Sequence, residues 1–222
     1  LLVLDPKEGT LKDLGRPSKT ESYIWDVAFG SDGRLYGATY PQSKLVRYDP
    51  ATGALEDLGR MDPREQYAHY VAGSDDGYMY VGIGTSKANI AAYHIASGAS
   101  REILPAAYQI VGQAVTYRGQ DGKVYGYAGS NYFRLEGWNA VPIPQSQAWA
   151  KQASNILSGG RVVTIDRNTV RSRDPRTGDV RVVPYEYRGS ELALFRVAFG
   201  PDGRLYASSV LPIHFLRFHA ED

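Results

Sequence analysis

The sequence contains no cysteine, so disulfide bonds, thiolate catalysis and cysteine-bound zinc are all excluded. The redox compartment is left open, since this composition fits a periplasmic, secreted or cytoplasmic protein alike. A large excess of charge is also absent, because 25 Lys and Arg residues oppose 24 Asp and Glu residues and leave a formal net charge of +1. This balance offers no general attraction to nucleic acid or to an anionic membrane, so we expect neither as a partner.

Long apolar runs and familiar catalytic motifs are missing as well. Every apolar run is far shorter than the roughly 20 residues that a membrane-spanning helix needs, which predicts a soluble protein. The sequence has no HExxH motif, phosphate-binding loop or nucleophile elbow. It opens at Leu1 without an initiator methionine or a signal-peptide pattern, which we interpret as a piece of a longer chain with further domains as partners.

What the sequence does contain is a repeat rich in glycine and tyrosine. Residues 25–36 (WDVAFGSDGRLY) and 195–206 (FRVAFGPDGRLY) are identical at nine of twelve positions. Weaker copies lie between them, and the glycines that end their turns recur about every 43 residues, which is typical of one supersecondary unit copied several times. These glycines are Gly33, Gly77, Gly122, Gly160 and Gly203.

A second turn motif, Asp-Pro-x-x-Gly, recurs half a repeat later, at residues 5–9, 49–53 and 174–178. Proline presets φ for such a turn and the final glycine accepts a positive φ, so each copy is expected to join two antiparallel strands. The clearest repeat therefore holds four strands, with Asp-Gly closing the first hairpin. We predict strand A at 24–30, strand B at 34–40, strand C at 44–49 and strand D at 54–58.

Four antiparallel strands per repeat predict an all-β fold, a β-propeller of four-stranded blades, of which about five are visible. An ordinary antiparallel sandwich with similar turns is the alternative, and the nine identities argue against it. We expect a single domain over residues 1–222. Its blades are expected at approximately 1–15 (partial), 24–59, 67–104, 108–144, 152–184 and 194–219 (partial).

The two ends of the chain leave two ways to complete the propeller. In the first, the amino-terminal D-like strand at 11–15 completes the final blade and removes an open sheet edge. The C-like strand at 1–5 then has no place in a blade. In the second, the chain is cut from a propeller of six to eight blades. We favour the second.

The VAFGPDGRLY string at 197–206, followed by a C strand, and the Asp-Pro-x-Thr-Gly turns resemble the repeats of the streptogramin lyase, SMP-30 gluconolactonase and NHL-type propeller superfamily. The resemblance covers nearly the whole chain and implies the propeller fold. Members of this group include metal-dependent lactonases, lyases that use His and Glu beside a metal, and binding proteins. None of their full catalytic signatures maps onto this sequence, so the resemblance assigns no catalytic residue, and the fold alone does not decide the function.

Aligning the repeats places a polar residue at one position of each innermost strand, directly before an apolar triplet. These residues are Asp26, His69, Gln113, Asn155 and Arg196. All five are candidate ligand-binding residues at the mouth of a central channel, although they could equally satisfy neighbouring turns across a water-filled channel. His69 is the candidate catalytic acid or base, and Arg196 the candidate partner for a carboxylate. Asp26 and Asn155 are candidate ligands for a divalent cation such as Ca²⁺ or Mg²⁺.

Aromatic residues accumulate on the same strands. Trp25 and Tyr67 are further candidates for ligand binding, because aromatic faces stack on sugar rings, while packing between blades is the competing explanation. The aromatic-rich segment 131–149 departs most from the repeat. We expect an irregular blade edge or a loop there.

The leading hypothesis is therefore a ligand-binding propeller that recognises a carbohydrate or another small ligand at the channel mouth. The alternative is a lyase or lactonase acting on a uronate or lactone, in which His69 transfers the proton and Arg196 or a cation neutralises the developing charge. A protein–protein interaction scaffold is the third possibility. Whether the protein is an enzyme stays open at this point.

Overall fold

The computed structural model describes residues 2–5, 10–13, 15–153, 156, 160–166, 169–184, 193–199, 204–210 and 215–219, and it describes side chains within 15–153, 156, 160–164 and 169–184. Within these residues the chain forms twenty short β-strands and two 3₁₀ turns, at Ala106–Tyr108 and Gln145–Gln147. No helix in this described part is long and apolar enough to cross a membrane.

The strands form six antiparallel sheets, and in each sheet the strands are ordered as they follow in the chain. Two strands make the first sheet: β1 (Leu2–Asp5) and β2 (Thr10–Asp13). Blade 1 contains β3 (Tyr23–Phe29), β4 (Leu35–Tyr40), β5 (Lys44–Tyr48) and β6 (Leu55–Arg60). Blade 2 contains β7 (Ala68–Gly73), β8 (Tyr78–Ile83), β9 (Asn89–His94) and β10 (Ala99–Glu102). Blade 3 contains β11 (Ala114–Arg118), β12 (Val124–Ala128), β13 (Asn131–Glu136) and β14 (Asn139–Ile143). Two three-stranded sheets follow: β15 (Val162–Asp166), β16 (Thr169–Arg173) and β17 (Val180–Pro184), then β18 (Ala193–Phe199), β19 (Arg204–Val210) and β20 (Phe215–His219).

The chain divides into two compact units. Residues 17–152 form the unit that holds blades 1, 2 and 3. Residues 1–16 and 153–222 form the other unit, in which β1 lies beside β20, the last strand of the final sheet. The first of the two ways to complete the propeller, which we did not favour, puts the strand at 11–15 beside β20; the structure puts the preceding strand, β1, there.

The strands predicted for the first repeat are confirmed to within two residues at either end. Local chemistry explains this success at the A–B hairpin. The Tyr36 hydroxyl donates a hydrogen bond to Asp32 Oδ2 over 2.9 Å, and Gly33 between them has φ of +74°. Blade 3 repeats the device, since the Tyr125 hydroxyl donates to Asp121 Oδ2 over 2.7 Å. The repeated Asp-Gly-x-x-Tyr string is therefore a self-contained hairpin.

The Asp-Pro-x-x-Gly motif joins two consecutive antiparallel strands, as predicted: β5 and β6 at residues 49–53, and β16 and β17 at residues 174–178. The backbone N–H of Ala51 donates to Asp49 Oδ1 over 2.9 Å, and the N–H of Gly53 donates to the Asp49 carbonyl over 2.8 Å. Asp174 accepts the same two bonds from Arg176 and Gly178, each over 2.8 Å. The aspartate side chain thus holds the turn in both copies.

The expectation of an irregular edge or loop at 131–149 is wrong for most of that segment. Residues 131–136 and 139–143 pair as the regular third and fourth strands of blade 3. Only Gln145–Gln147 and the residues after it leave the sheet. The alternation of apolar and polar residues that predicts a strand is absent here, because the aromatic residues Tyr132 and Phe133 follow each other on opposite faces of one strand.

Apolar side chains between neighbouring blades form two buried clusters. One cluster lies between blades 1 and 2 and includes Tyr36, Leu45 and Met79; the other lies between blades 2 and 3 and includes Tyr80 and Phe133. The innermost strands β3, β7 and β11 lie side by side along these clusters. Tight blade-to-blade packing is therefore what holds the unit together.

Candidate functional site

The register of the innermost strands corrects the alignment of the candidate residues. Asp26 pairs with Ala38, Tyr70 with Gly82 and Arg196 with Ser208. These three are equivalent, so the prediction that His69 occupies the position of Asp26 is wrong by one residue.

A β-bulge directly precedes this position in each of the three strands. Pairing skips one residue between Ile24 and Asp26, between Ala68 and Tyr70, and between Leu194 and Arg196. The skipped residues are Trp25, His69 and Phe195. A bulge inserts one extra residue into a strand and changes which side chains face which surface. The residues that share the bulge position are therefore the ones with aromatic side chains: Trp25, His69 and Phe195.

Blade 3 departs from this pattern, because β11 pairs with β12 without a bulge. Gln113 is exposed. It is the residue directly before β11, as Tyr67 is the residue directly before β7, so it is equivalent to Tyr67 and not to Asp26. Asn155 lies outside the described residues, and so does the side chain of Arg196. The predicted ring of five equivalent polar residues is therefore not formed by the residues that the structure describes.

Asp26 performs a structural task between blades. Its side chain is buried, and its Oδ2 accepts a hydrogen bond of 3.1 Å from the backbone N–H of Val71. This bond ties the innermost strand of blade 1 to that of blade 2. Within the described part of the chain, no group of three or more His, Asp or Glu side chains is placed to hold a metal ion.

Six rings collect where the innermost strands of blades 1 and 2 begin and β4 ends. We call this set the aromatic cluster; its members are Tyr23, Trp25, Tyr40, Tyr67, His69 and Tyr70. Ring centroids are 4.2 Å apart for Tyr40 and Tyr67, and 5.0 Å apart for Tyr67 and His69, which stack within 10° of parallel. Trp25 lies 5.6 Å from His69. The cluster is thus continuous across the boundary between the two blades.

The hydroxyl groups of the cluster are linked to each other and to blade 3. A hydrogen bond between the Tyr40 and Tyr67 side chains raises the pKa of Tyr67. The Gln113 amide donates to the Tyr70 hydroxyl over 3.3 Å. The rings therefore carry hydrogen-bond donors and acceptors at their edges, which suits hydrogen bonding to a polar ligand.

His69 is the ionisable member of the cluster with the most altered surroundings. Burial lowers its pKa, and a hydrogen bond with the backbone of Gly84 opposes that shift in part. Its Nε2 atom is buried and has no hydrogen-bond partner among the described residues. The imidazole is therefore held neutral at pH 7.

The lowered pKa of His69 predicts that acid destabilises the protein. The unfolded chain, with an ordinary histidine pKa of 6.5, takes up a proton before the folded chain does, so stability is full above that pH and falls as the pH drops below it. We expect the thermal midpoint of the wild type to fall further between pH 7.5 and 5.5 than that of His69→Phe, measured by calorimetry. The control His94→Gln, on an outer strand, is expected to keep the wild-type dependence; equal pH dependence in wild type and His69→Phe contradicts the argument.

Two buried carboxylates beside the cluster were not predicted. Glu65 accepts backbone hydrogen bonds from Thr85 over 3.0 Å and from Lys87 over 2.8 Å. Glu21, at the same offset in blade 1, accepts from the Thr39 hydroxyl over 2.6 Å. A sequence pattern could have found them, since each glutamate lies two residues before a tyrosine at the start of the innermost strand: Tyr23 is the first residue of β3, and Tyr67 directly precedes β7. Both fix the loops that frame the aromatic cluster.

Four-stranded meanders that repeat about every 43 residues, with their first strands side by side, define a β-propeller. The WD40 β-propeller domain of Doa1 is similar in structure, with a TM-score of 0.57 and 9% identity over 87% of this chain and 92% of that one. The similarity confirms the fold and carries no information on activity.

Members of the expected superfamily are also among the similar solved structures. A gluconolactonase-like protein has a TM-score of 0.49 and 15% identity over 94% of this chain and 77% of its own. Virginiamycin B lyase from Staphylococcus aureus has a TM-score of 0.44 and 11% identity over 95% of this chain and 73% of its own. No protein-family model and no curated protein matches the sequence.

Proposed function

We propose that this propeller domain binds a carbohydrate at the aromatic cluster. The observation that supports the proposal is that none of the six rings belongs to either buried cluster between the blades. Each ring is only partly buried, so packing alone does not account for six of them at one end of two blades. A patch of rings with polar edges at one place is a typical binding surface.

A sugar fits this surface better than a purely apolar ligand does. The C–H faces of a pyranose stack on tyrosine and tryptophan rings, and its hydroxyl groups need the donors and acceptors that Tyr40, Tyr67 and Gln113 offer. The buried carboxylate of Glu65 keeps the neighbouring loop in place, so the surface is formed before the ligand arrives. Such preorganisation lowers the entropy cost of binding.

Truncating Trp25 is expected to reduce carbohydrate affinity at least about tenfold, because a central aromatic ring commonly dominates a binding surface. A glycan array identifies an oligosaccharide that binds, and titration calorimetry then compares wild type with Trp25→Ala. Trp138→Ala is the matched control: Trp138 is also partly buried, but it lies at the β13–β14 turn, at the opposite end of the blades. An unchanged dissociation constant for Trp25→Ala, or an equal loss in both variants, contradicts the proposal.

The lyase or lactonase hypothesis has less support. A general base must reach the proton that it removes, directly or through one water molecule. The Nε2 atom of His69 is enclosed beside the rings of Trp25 and Tyr67, so a reaction there requires these rings to move. An activity that survives intact in His69→Ala would end this hypothesis and leave carbohydrate binding unaffected.

A further inference from the structure

Blade 3 carries an open groove of about 340 Å³ that the aromatic cluster does not include. One wall is the sheet, and the other is the segment that follows β14. Its principal lining residues are Tyr117, Tyr127, Tyr132, Gln145, Trp149 and Lys151. This volume is near the lower end of the range for small-ligand pockets, which is about 300 to 1,000 Å³, so the groove is sized for one ring rather than several.

The segment that closes the groove is held in place by backbone pairing. The N–H of Gln120 donates to the carbonyl of Ala150 over 2.9 Å, and the N–H of Gln152 donates to the carbonyl of Arg118 over 2.8 Å. Trp149, between these bonds and the Gln145–Gln147 turn, is nevertheless 55% exposed. No ring among the described residues packs on it, so its face is available to a ligand.

The charge in the groove has one sign. Lys151 is exposed, forms no ion pair with any described residue, and is the lone charged side chain in the lining. Burial raises the pKa of both Tyr117 and Tyr127, so these side chains remain neutral. An anionic group at the lysine end would therefore meet no opposing carboxylate in the groove.

The groove also adjoins the aromatic cluster. Burial and, to a smaller extent, Tyr70 of the aromatic cluster raise the pKa of Tyr127 in the groove. Gln113, which donates to Tyr70, is two residues from Val115 in the groove wall. A ligand of several units could therefore occupy both places.

We propose that the groove is a second subsite that takes a uronic-acid unit of an acidic oligosaccharide, with the sugar ring on Trp149 and the carboxylate on Lys151. The inference rests on the proposed carbohydrate binding at the aromatic cluster and names the class of carbohydrate. Tyr127 and Tyr132, whose rings stack with centroids 5.2 Å apart, form the facing wall. The carboxylate distinguishes this ligand from the neutral sugars that the aromatic cluster alone would accept.

The test compares tetragalacturonate with its fully methyl-esterified form, which has the same rings without the charge. In titration calorimetry at low salt we expect wild type to bind the acid about tenfold more tightly than the ester, the effect of one charge-assisted contact. Lys151→Met is expected to abolish that difference, and Trp149→Ala to weaken both forms. Lys123→Met, which removes an exposed lysine at the A–B hairpin of the same blade, is the control and is expected to change nothing.

The outcomes separate the two proposals. If Lys151→Met keeps the preference for the acid while Trp25→Ala loses binding, the subsite is wrong and the carbohydrate site stands. If Trp25→Ala binds both forms as wild type does, or wild type binds neither, the subsite inference fails together with the proposed site at the aromatic cluster. Phenylacetate displacing tetragalacturonate from wild type but not from Trp149→Ala would show that the groove takes an aromatic carboxylate, which overturns the assignment to a sugar.

Discussion

Replacing Gly73 with alanine is expected to destabilise the protein by about 3 kcal/mol or more, at the upper end of what overpacking costs. A Cβ atom at Gly73 would lie well under 3.0 Å from the carbonyl oxygen of Phe29, on the neighbouring innermost strand. The obstacle is backbone, so no side chain can rotate away to relieve it. Blades 1 and 2 would have to separate along β3 and β7, which also disturbs the buried cluster between them. Urea denaturation followed by circular dichroism measures the loss.

Gly126→Ala is the control for that experiment. A Cβ atom at Gly126 would meet the terminal methyl groups of Ile90 at 2.8 Å and Leu135 at 3.3 Å, together with the Val115 carbonyl at 3.2 Å. The nearest of these atoms can move by small side-chain rotations, so we expect a loss of about 1 kcal/mol. Equal urea midpoints for the two variants would show that the contact between the innermost strands is not as close as the structure indicates.

Glu65→Leu is expected to cost about 3 kcal/mol, because backbone donors lose a charged acceptor at a buried position. Its carboxylate accepts bonds from the N–H groups of Thr85, Ser86 and Lys87, and leucine of similar size offers none. The three donors lie in an exposed loop, so water replaces part of the loss. Glu65→Gln keeps one oxygen and is expected to fall between Glu65→Leu and wild type.

The measurement for Glu65 has two parts. Urea denaturation gives the free energy of unfolding, and amide hydrogen exchange reports the loop directly. We expect the Lys87 amide, which donates over 2.8 Å, to lose protection in both variants. Wild-type exchange at Lys87 in Glu65→Leu would contradict the assigned role of the carboxylate.

The sequence predicted the parts of the fold whose cause is local. The A–B hairpin is set by Asp32, Gly33 and Tyr36 within five residues of each other, and the C–D turn by Asp49 and Gly53. The hydrogen bonds that close each of these turns form within the turn itself. Their repetition was enough to infer four strands per repeat and a propeller.

The candidate site was predicted less well, because its determinants are not local. The bulges at Trp25 and His69 depend on which residues pair with β4 and β8. The one-residue error at His69 has a different origin, since the 44-residue spacing of Gly33 and Gly77 already matches Asp26 with Tyr70. The bond from Val71 to Asp26 joins residues 45 positions apart. Polarity therefore singled out Asp26, whereas the structure uses it between blades.

In the proposed binding site, the bulge makes the length of the innermost strand a determinant of which rings are present. Blades 1 and 2 each carry one extra residue in the innermost strand and each contributes that residue's ring to the aromatic cluster, whereas β11 has no extra residue and contributes none. Blades 1 and 2 thus differ from blade 3 by one extra residue within the innermost strand. If that residue is gained or lost, the proposed binding surface changes while the hairpins and the core that define the blade stay unaltered.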